Sequence, residues 1–150
     1  MTAAEAGGRV LGVDLGARRI GLALSDPTRT VASPFEVLER QRTRADDHDA
    51  IVGVARANDA ATIVVGLPLS LSGDTGPAAR AVLDEVEELR GRAPADIAVE
   101  VFDERLTTVT AERSLREARM RRDARRRVVD KVAAAVMLQT YLERGVGGAS

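Results

Sequence analysis

Residues 9–25, RVLGVDLGARRIGLALS, decide the fold because they contain two apolar strands joined by a short turn. The run Arg9–Leu15 is almost continuously apolar, which is typical of a central strand buried on both faces. Residues 16–19 (GARR) form the predicted turn, and Ile20–Ser25 is the predicted second strand. The sequence therefore predicts a hairpin whose first strand lies in the middle of a sheet.

Strands and helices alternate after this hairpin. A third strand is predicted over Thr30–Leu38, and Pro34 places it towards an edge because proline cannot donate a ladder hydrogen bond. Further strands are predicted over residues 62–66 and 97–102, and helices over residues 44–58, 78–90, 107–119 and 128–144. This order predicts an α/β fold, with a five-stranded mixed sheet flanked by helices.

The length and composition indicate one domain. The 150 residues are 45% hydrophobic and include no cysteine, which excludes disulfides and thiolate metal ligands. The domain is predicted to span residues 9–144, between disordered tails at 1–8 and 145–150. We find neither a signal peptide nor an apolar run of about 20 residues, so we expect a soluble, cytoplasmic protein with no membrane partner.

Positive charge is concentrated in one segment although the net charge is only −1. Between residues 116 and 127 (REARMRRDARRR), seven of twelve positions are arginine. Such a local basic patch is typical of a surface that binds phosphate groups. A solvated arginine-rich helix face is the alternative interpretation.

Asp14 is the first unusual carboxylate, because it ends the apolar strand predicted at the centre of the sheet. Burying an unpaired carboxylate costs several kcal/mol, on the order estimated for buried ions, and a bound metal ion would offset that cost. Strand ends in open sheets are also where ligands usually bind. The alternative is a turn aspartate that accepts hydrogen bonds from nearby backbone N–H groups.

Asp130 is the second unusual carboxylate, because it lies on the apolar stripe of the last predicted helix. That stripe follows helical spacing through Asp130, Ala133, Ala134, Met137, Leu138 and Tyr141. The aspartate is therefore expected to face the sheet from the first turn of the helix. Stabilisation by the helix dipole is the alternative, but it does not explain the choice of face.

A third carboxylate is expected from Asp103 or Glu104, which follow the predicted fifth strand. Oxygen-only ligand sets suit Mg²⁺ or Mn²⁺, and pairs of such ions support phosphodiester hydrolysis. Neighbouring strand residues face opposite sides, so the pattern alone does not choose between the two acids. By contrast, His48 and the acidic residues 84–88 are predicted to belong to solvated helix surfaces.

Four sequence blocks occur in order along the chain: GVDLG at 12–16, VGLPL at 65–69, DERLTT at 103–108 and VVDKVAAA at 128–135. Together they resemble the YqgF/RuvX family over residues 9–144. This family is ribonuclease H-like and is related to RuvC-type Holliday-junction resolvases. The resemblance implies that Asp14, Glu104 and Asp130 are catalytic metal ligands for Mg²⁺ or Mn²⁺, and it is the reason for choosing Glu104 over Asp103.

The resemblance also implies a function. Members of the family are described as nucleases in 5′-end maturation of pre-16S rRNA, and some as junction resolvases. We therefore expect a metal-dependent nuclease acting on pre-rRNA. A resolvase acting on branched DNA is the first alternative, and a non-catalytic RNA-binding module in ribosome assembly is the second. The sequence leaves open whether the protein is a monomer or a homodimer.

Arginines are the expected contacts to nucleic acid. Arg105 follows the acidic pair, where it is expected to orient a carboxylate or the scissile phosphate; a surface ion pair is the alternative. The candidates within the basic segment are Arg121, Arg122, Arg125, Arg126 and Arg127.

Overall fold

The computed structural model describes residues 8–68, 75–103 and 123–148, and within the last helix it describes side chains for residues 129–144. Eight secondary-structure elements occur in this part of the chain. In chain order they are β1 (Arg9–Leu15), β2 (Arg19–Ser25), β3 (Ala32–Glu39), α1 (Arg44–Ala57), β4 (Ala60–Leu67), α2 (Pro77–Arg92), β5 (Ala98–Asp103) and α3 (Asp123–Gly148).

The five strands form one mixed sheet in the order β3-β2-β1-β4-β5. β1 is antiparallel to β2, and β2 is antiparallel to β3. β4 is parallel to both β1 and β5. The predicted fold class, a five-stranded mixed sheet flanked by helices, is therefore confirmed, and β1 is the central strand.

Helices cover both faces of the sheet. On one face, Leu11 and Val13 of β1 belong to an apolar cluster with Ile51 of α1 and Val86 of α2. On the other face, Val10 of β1 belongs to a second cluster that includes residues of α3. Because successive side chains of a strand point to opposite faces, the continuous apolar sequence of β1 supplies both clusters.

The boundaries of the described elements agree with the predicted boundaries to within a few residues, with one larger difference. α3 begins at Asp123 and ends at Gly148, so residues 145–148, assigned above to a disordered tail, continue the helix. Pro34 lies in the edge strand β3, as predicted. The predicted helix over residues 107–119 lies outside the described residues. None of the three described helices is long and apolar enough to cross a membrane.

Candidate functional site

Asp14 lies on the face of β1 that α3 covers. Alternate residues of a strand share a face, and Val10 belongs to the apolar cluster against α3. A Cβ atom at Gly12 would lie 2.9 Å from the Cβ atom of Leu138 in α3. Asp14 continues this series and is only 7% exposed. A nearly buried carboxylate is thus directed towards α3 at the carboxyl end of the central strand.

Gly21 brings Asp130 close to Asp14. Gly21 on β2 is the cross-strand partner of Asp14. A Cβ atom at Gly21 would lie 2.4 Å from the carbonyl oxygen of Asp130, so only glycine allows the α3 backbone to rest on β2 here. Antiparallel cross-strand partners have Cα atoms about 4.5–5.5 Å apart. The backbone of Asp130 therefore lies over the residue paired with Asp14, which brings two predicted site residues from distant parts of the sequence to neighbouring positions on one face of the sheet.

Arg19 adds a positive charge at the same place. Its Nε atom donates a hydrogen bond of 3.2 Å to Oδ2 of Asp130. Both side chains are largely buried, with exposed fractions of 12% for Arg19 and 16% for Asp130. The sequence analysis placed Arg19 in a turn and assigned it no role. The signal that could have identified it is the alternation of Arg19, Gly21 and Ala23 on one face of β2 with apolar residues on the other.

Asp103 lies on the opposite face of the sheet from Asp14. Val99 and Val101 of β5 pack against the cluster of α1 and α2, and Asp103 continues their alternation. Phe102, by contrast, contacts Tyr141 of α3, with ring centroids 5.8 Å apart and planes at 86°. The register of β5 therefore separates Asp103 from the Asp14 side of the sheet.

The remaining predicted site residues fall largely outside the described part of the chain. Glu104, Arg105, Arg121 and Arg122 are not described, and only the helical backbone is described for residues 125–127. Within the described residues, no group of three or more acidic or histidine side chains could hold a metal ion. The described part of the site is thus the pair Asp14 and Asp130, with Arg19 beside it.

A second group of charged side chains supports the turn after Asp14 from the other face of the sheet. Arg40 donates through Nε to the carbonyl oxygen of Gly16, at 3.0 Å. The other guanidinium nitrogens donate to both carboxylate oxygens of Glu85, at 2.5 and 3.0 Å, and to Asp47 at 3.1 Å. The backbone N–H of Arg40 also donates to the carbonyl oxygen of Arg18, at 3.0 Å. One residue thus joins the β1–β2 turn to α1 and α2.

This group corrects two predictions about solvated helix surfaces. His48 is 1% exposed and Glu85 is 4% exposed, and the Nε2 atom of His48 lies 2.8 Å from Oε2 of Glu85. The prediction was wrong for His48 and for Glu85, because neighbouring acids in the sequence suggested solvent, whereas Arg40 and His48 give Glu85 buried partners. Asp84, Glu87 and Glu88 are exposed, as predicted. A cavity of about 510 Å³ borders this group, between the β1–β2 turn and α2.

The charges within the group stabilise one another. Burial alone would raise the pKa of Glu85, but hydrogen bonds from Arg40 and His48 outweigh it and hold that pKa below its ordinary value. Burial would likewise lower the pKa of Arg40, whereas its hydrogen bonds to Glu85 and Asp47 raise that pKa. Arg40 and Glu85 are therefore ionised, and Arg40 holds the turn that follows Asp14 in a fixed position.

Comparison with a solved structure shows the class of fold to which this protein belongs. A solved structure of T. thermophilus RuvC in complex with a Holliday junction substrate matches with a TM-score of 0.50. The match covers 92% of this chain and 96% of that chain at 18% sequence identity, so it shows a shared fold and nothing beyond it. The protein thus has the ribonuclease H-like fold of RuvC.

Closer relatives show the family. The RuvX family, described as Holliday junction resolvase, matches residues 8–144. A protein of Roseiflexus sp. (strain RS-1) is 44% identical over 136 residues, which cover 91% of this chain and 94% of the relative. A protein of Mycobacterium sp. (strain KMS) is 41% identical over 137 residues, covering 91% and 80%. Both carry the name "Putative pre-16S rRNA nuclease". This chain belongs to the RuvX (YqgF) family, as its sequence blocks predicted.

Proposed function

We propose that this protein is a cytoplasmic nuclease that uses Mg²⁺ or Mn²⁺ to hydrolyse phosphodiester bonds in the 5′-end maturation of pre-16S rRNA. Two relatives, at 44% and 41% identity, carry the name "Putative pre-16S rRNA nuclease". The family is described as Holliday junction resolvase, which is also a nuclease. The observation that carries the proposal is the contact of Asp130 with Gly21, the cross-strand partner of Asp14. This contact brings two acidic residues from distant elements, Asp14 at a strand end and Asp130 on the helix above it, to the same face of the sheet.

Asp14, Glu104 and Asp130 are the residues that would hold the metal. Asp14 and Asp130 offer carboxylate oxygens on one face of the sheet, which is the donor type that hard divalent cations prefer. Asp103 is disfavoured as the third ligand, because it follows the alternation of Val99 and Val101 on the other face. Alternation along a strand favours the next residue in sequence, so Glu104 stays a proposal from the sequence.

The described residues can orient and shield the reacting groups. A bound divalent cation would supply the charge that activates water and stabilises a leaving oxygen. The near-complete burial of Asp14 removes solvent that would weaken its electrostatic interactions. The ion pair with Arg19 fixes the orientation of the Asp130 carboxylate. The Arg40 group holds the turn after Asp14 from the opposite face.

Arginines near the start of α3 are proposed to contact the phosphate backbone. Residues 125–127 precede Asp130 by three to five positions in the same helix, which is about 4.5–7.5 Å along the helix axis. Arg105, Arg121 and Arg122 are proposed in the same role from the sequence. Contacts of this kind position a substrate without reading its sequence.

Two other functions remain as outcomes of the test. The description of the family as Holliday junction resolvase favours branched DNA as the alternative substrate. A non-catalytic RNA-binding module is the second alternative, and it would not need the carboxylate pair. The protein is proposed to act as a monomer or a homodimer, and symmetric cutting of a junction would favour the dimer.

The decisive experiment compares two labelled substrates, a precursor 16S rRNA 5′ leader and a four-way DNA junction. Wild-type protein, Asp14→Asn and Asp130→Asn are each incubated with Mg²⁺, with Mn²⁺ and with EDTA. Asp84→Asn is the matched control, because Asp84 is an exposed aspartate on α2, on the other face of the sheet.

We expect the wild type and Asp84→Asn to cut the RNA leader only with a divalent cation, and both site variants to bind it without cutting. Cleavage of the junction alone would replace rRNA by branched DNA as the substrate. Cleavage in EDTA, or undiminished cleavage by Asp14→Asn, would contradict the metal mechanism. Binding without cleavage by the wild type would favour the binding module.

A further inference from the structure

We propose that Arg19 is a positioning residue that acts as an internal counter-ion of the carboxylate site and competes with the divalent cation for Asp130. This inference rests on the proposed function and deepens it, because it concerns how strongly the same site binds metal. Nothing in the sequence pattern or the family description assigns a role to Arg19.

The ion pair between Arg19 and Asp130 is well enclosed. The Nε–Oδ2 distance is 3.2 Å, and the side chains are 12% and 16% exposed. Charges in such surroundings are screened by salt much less than charges on the surface. The pair therefore stabilises the Asp130 carboxylate in one orientation.

Arg19 lies on the face of β2 that α3 covers. Gly21 lies on that face because the backbone of Asp130 packs against it, and Ala23 belongs to the apolar cluster against α3. Arg19 precedes both at alternate positions, so its side chain is on the same face. It is therefore two residues along β2 from Gly21, the residue that pairs with Asp14 and contacts the backbone of Asp130.

Two neighbouring carboxylates repel each other, and a positive charge beside them offsets that repulsion. Arg19 supplies that charge in the protein without metal, and a divalent cation would supply it when bound. Both cations need the oxygens of Asp130. The free energy of the Arg19 ion pair must therefore be given up, wholly or in part, when metal binds, and the two effects are reciprocal.

A second acidic residue, Glu39, lies beside Arg19 in the sheet. It is the cross-strand partner of Arg19 on β3 and lies at the exposed rim of the sheet. Opposite charges on cross-strand partners attract one another across a sheet. The negative charge of Glu39 therefore lies beside Arg19 whether or not Arg19 is paired with Asp130.

The test measures metal binding to the full chain directly. Mn²⁺ affinity is determined by isothermal titration calorimetry, and the unfolding temperature is determined in EDTA and in Mn²⁺. The variants are Arg19→Gln, which removes the charge, and Arg19→Lys, which keeps the charge but loses the Nε hydrogen bond. Arg18→Gln is the matched control, because Arg18 is the exposed residue of the β1–β2 turn that precedes Arg19.

We expect Arg19→Gln to unfold at a lower temperature in EDTA and to bind Mn²⁺ about tenfold more tightly than the wild type, within the usual range of coupling between two sites. Arg19→Lys should lie between the two proteins, and Arg18→Gln should match the wild type. If Arg19→Gln does not fold, the affinity of Arg19→Lys decides the question.

Equal or weaker Mn²⁺ binding by the Arg19 variants, with normal binding by the wild type, would overturn the role of Arg19 and leave the proposed nuclease intact. A wild-type protein that binds no Mn²⁺ would instead overturn the metal site, and this inference with it. The two failures are therefore distinguishable in one series of titrations.

Discussion

At Gly21, the lack of a side chain determines how close α3 lies to β2. The Cβ atom of any other residue would meet the carbonyl oxygen of Asp130 at 2.4 Å, and this oxygen belongs to a helix backbone that cannot rotate away. The geometry of the carboxylate pair thus depends on a residue that carries no functional group.

Gly21→Ala should destabilise the protein by about 1–3 kcal/mol, the usual cost of overpacking a close contact. It should also weaken Mn²⁺ binding, because α3 must move away from Asp14. Urea unfolding and calorimetric titration measure the two effects. The matched control is Gly53→Ala in α1, where the new methyl group meets nothing within 4 Å. That change should stabilise the protein by about 0.5–1 kcal/mol. A stable Gly21→Ala protein with unchanged metal affinity would contradict this account.

The ionisation of Tyr141 can be followed by absorbance without interference, because Tyr141 is the only tyrosine and the chain has no tryptophan. Its hydroxyl group donates to Oε1 of Glu100 at 3.2 Å. Burial, followed by the charge of Glu100, raises the pKa of Tyr141 to about 12 from the ordinary value of 10.0.

The absorbance of tyrosinate should therefore show a titration midpoint near pH 12 in the folded protein. In urea the midpoint should lie at about pH 10, as it does in model peptides. Because the folded pKa is the higher one, this contribution to stability is complete below about pH 10 and is lost as the pH rises towards 12. Glu100→Gln should lower the folded midpoint while leaving it above the midpoint in urea. A folded midpoint equal to the unfolded one would show that the hydroxyl is not held as described.

The sequence correctly predicted where a residue lies when nearby residues in the chain determine its surroundings. Asp130 stood out because the stripe around it is apolar, and the structure places it against the sheet. Arg19, His48 and Glu85 could not be assigned in this way. Their partners are distant in sequence: Arg19 and Asp130 are 111 residues apart, and His48 and Glu85 are 37 apart.

At the scale of elements, the period of the sequence was sufficient to locate all five strands. The apolar run of β1 predicted a central strand, and Pro34 predicted an edge strand, because both signals are local. Which face each helix covers was not predictable for α1 and α2, since either face of a buried sheet accepts an apolar helix stripe. The group of Arg40, Asp47 and Glu85 forms because α1 and α2 cover the same face of the sheet.

Arg40→Ala should destabilise the protein by about 3 kcal/mol, because removing one member of a buried charge group leaves the others without compensation. Asp47 and Glu85, whose side chains are 3% and 5% exposed, would lose the guanidinium that pairs with them. Urea unfolding at neutral pH measures the change.

The matched control for Arg40→Ala is Arg92→Ala. It breaks a bidentate pair with Asp49 whose hydrogen bonds are both 2.8 Å but which is exposed to solvent. We expect a loss below about 1 kcal/mol there, because exposed ion pairs contribute little. Similar losses in both variants would show that the Arg40 group is no more important than a surface pair.

At the scale of the whole molecule, charge is distributed unevenly. The net charge of −1 gives no long-range attraction to nucleic acid, so binding must depend on local clusters such as residues 116–127. The composition therefore could not reveal a nucleic-acid partner, whereas the position of the arginines in the sequence could.

Replacing the three arginines at residues 125–127 by glutamine should weaken RNA binding, because phosphate contacts release counter-ions. The slope of log K against log salt should fall by about 2, as expected for three lost contacts to a single strand. Fluorescence anisotropy at several salt concentrations in EDTA measures this slope without cleavage. A control with Arg56, Arg80 and Arg90 replaced removes the same charge from α1 and α2 and should leave the slope unchanged. Equal slopes in all three proteins would exclude the start of α3 as a phosphate-binding surface.

The separation of 111 residues between Arg19 and Asp130 also has a consequence for synthesis of the protein. A nascent chain that has emerged only through β5 carries Asp14 and Arg19 but lacks the helix that brings Asp130 to them. The apolar surface of β1, β2 and β4 is then uncovered and open to chaperones. The proposed metal site can therefore be completed only after α3 has emerged and docked, when synthesis of the chain is nearly finished.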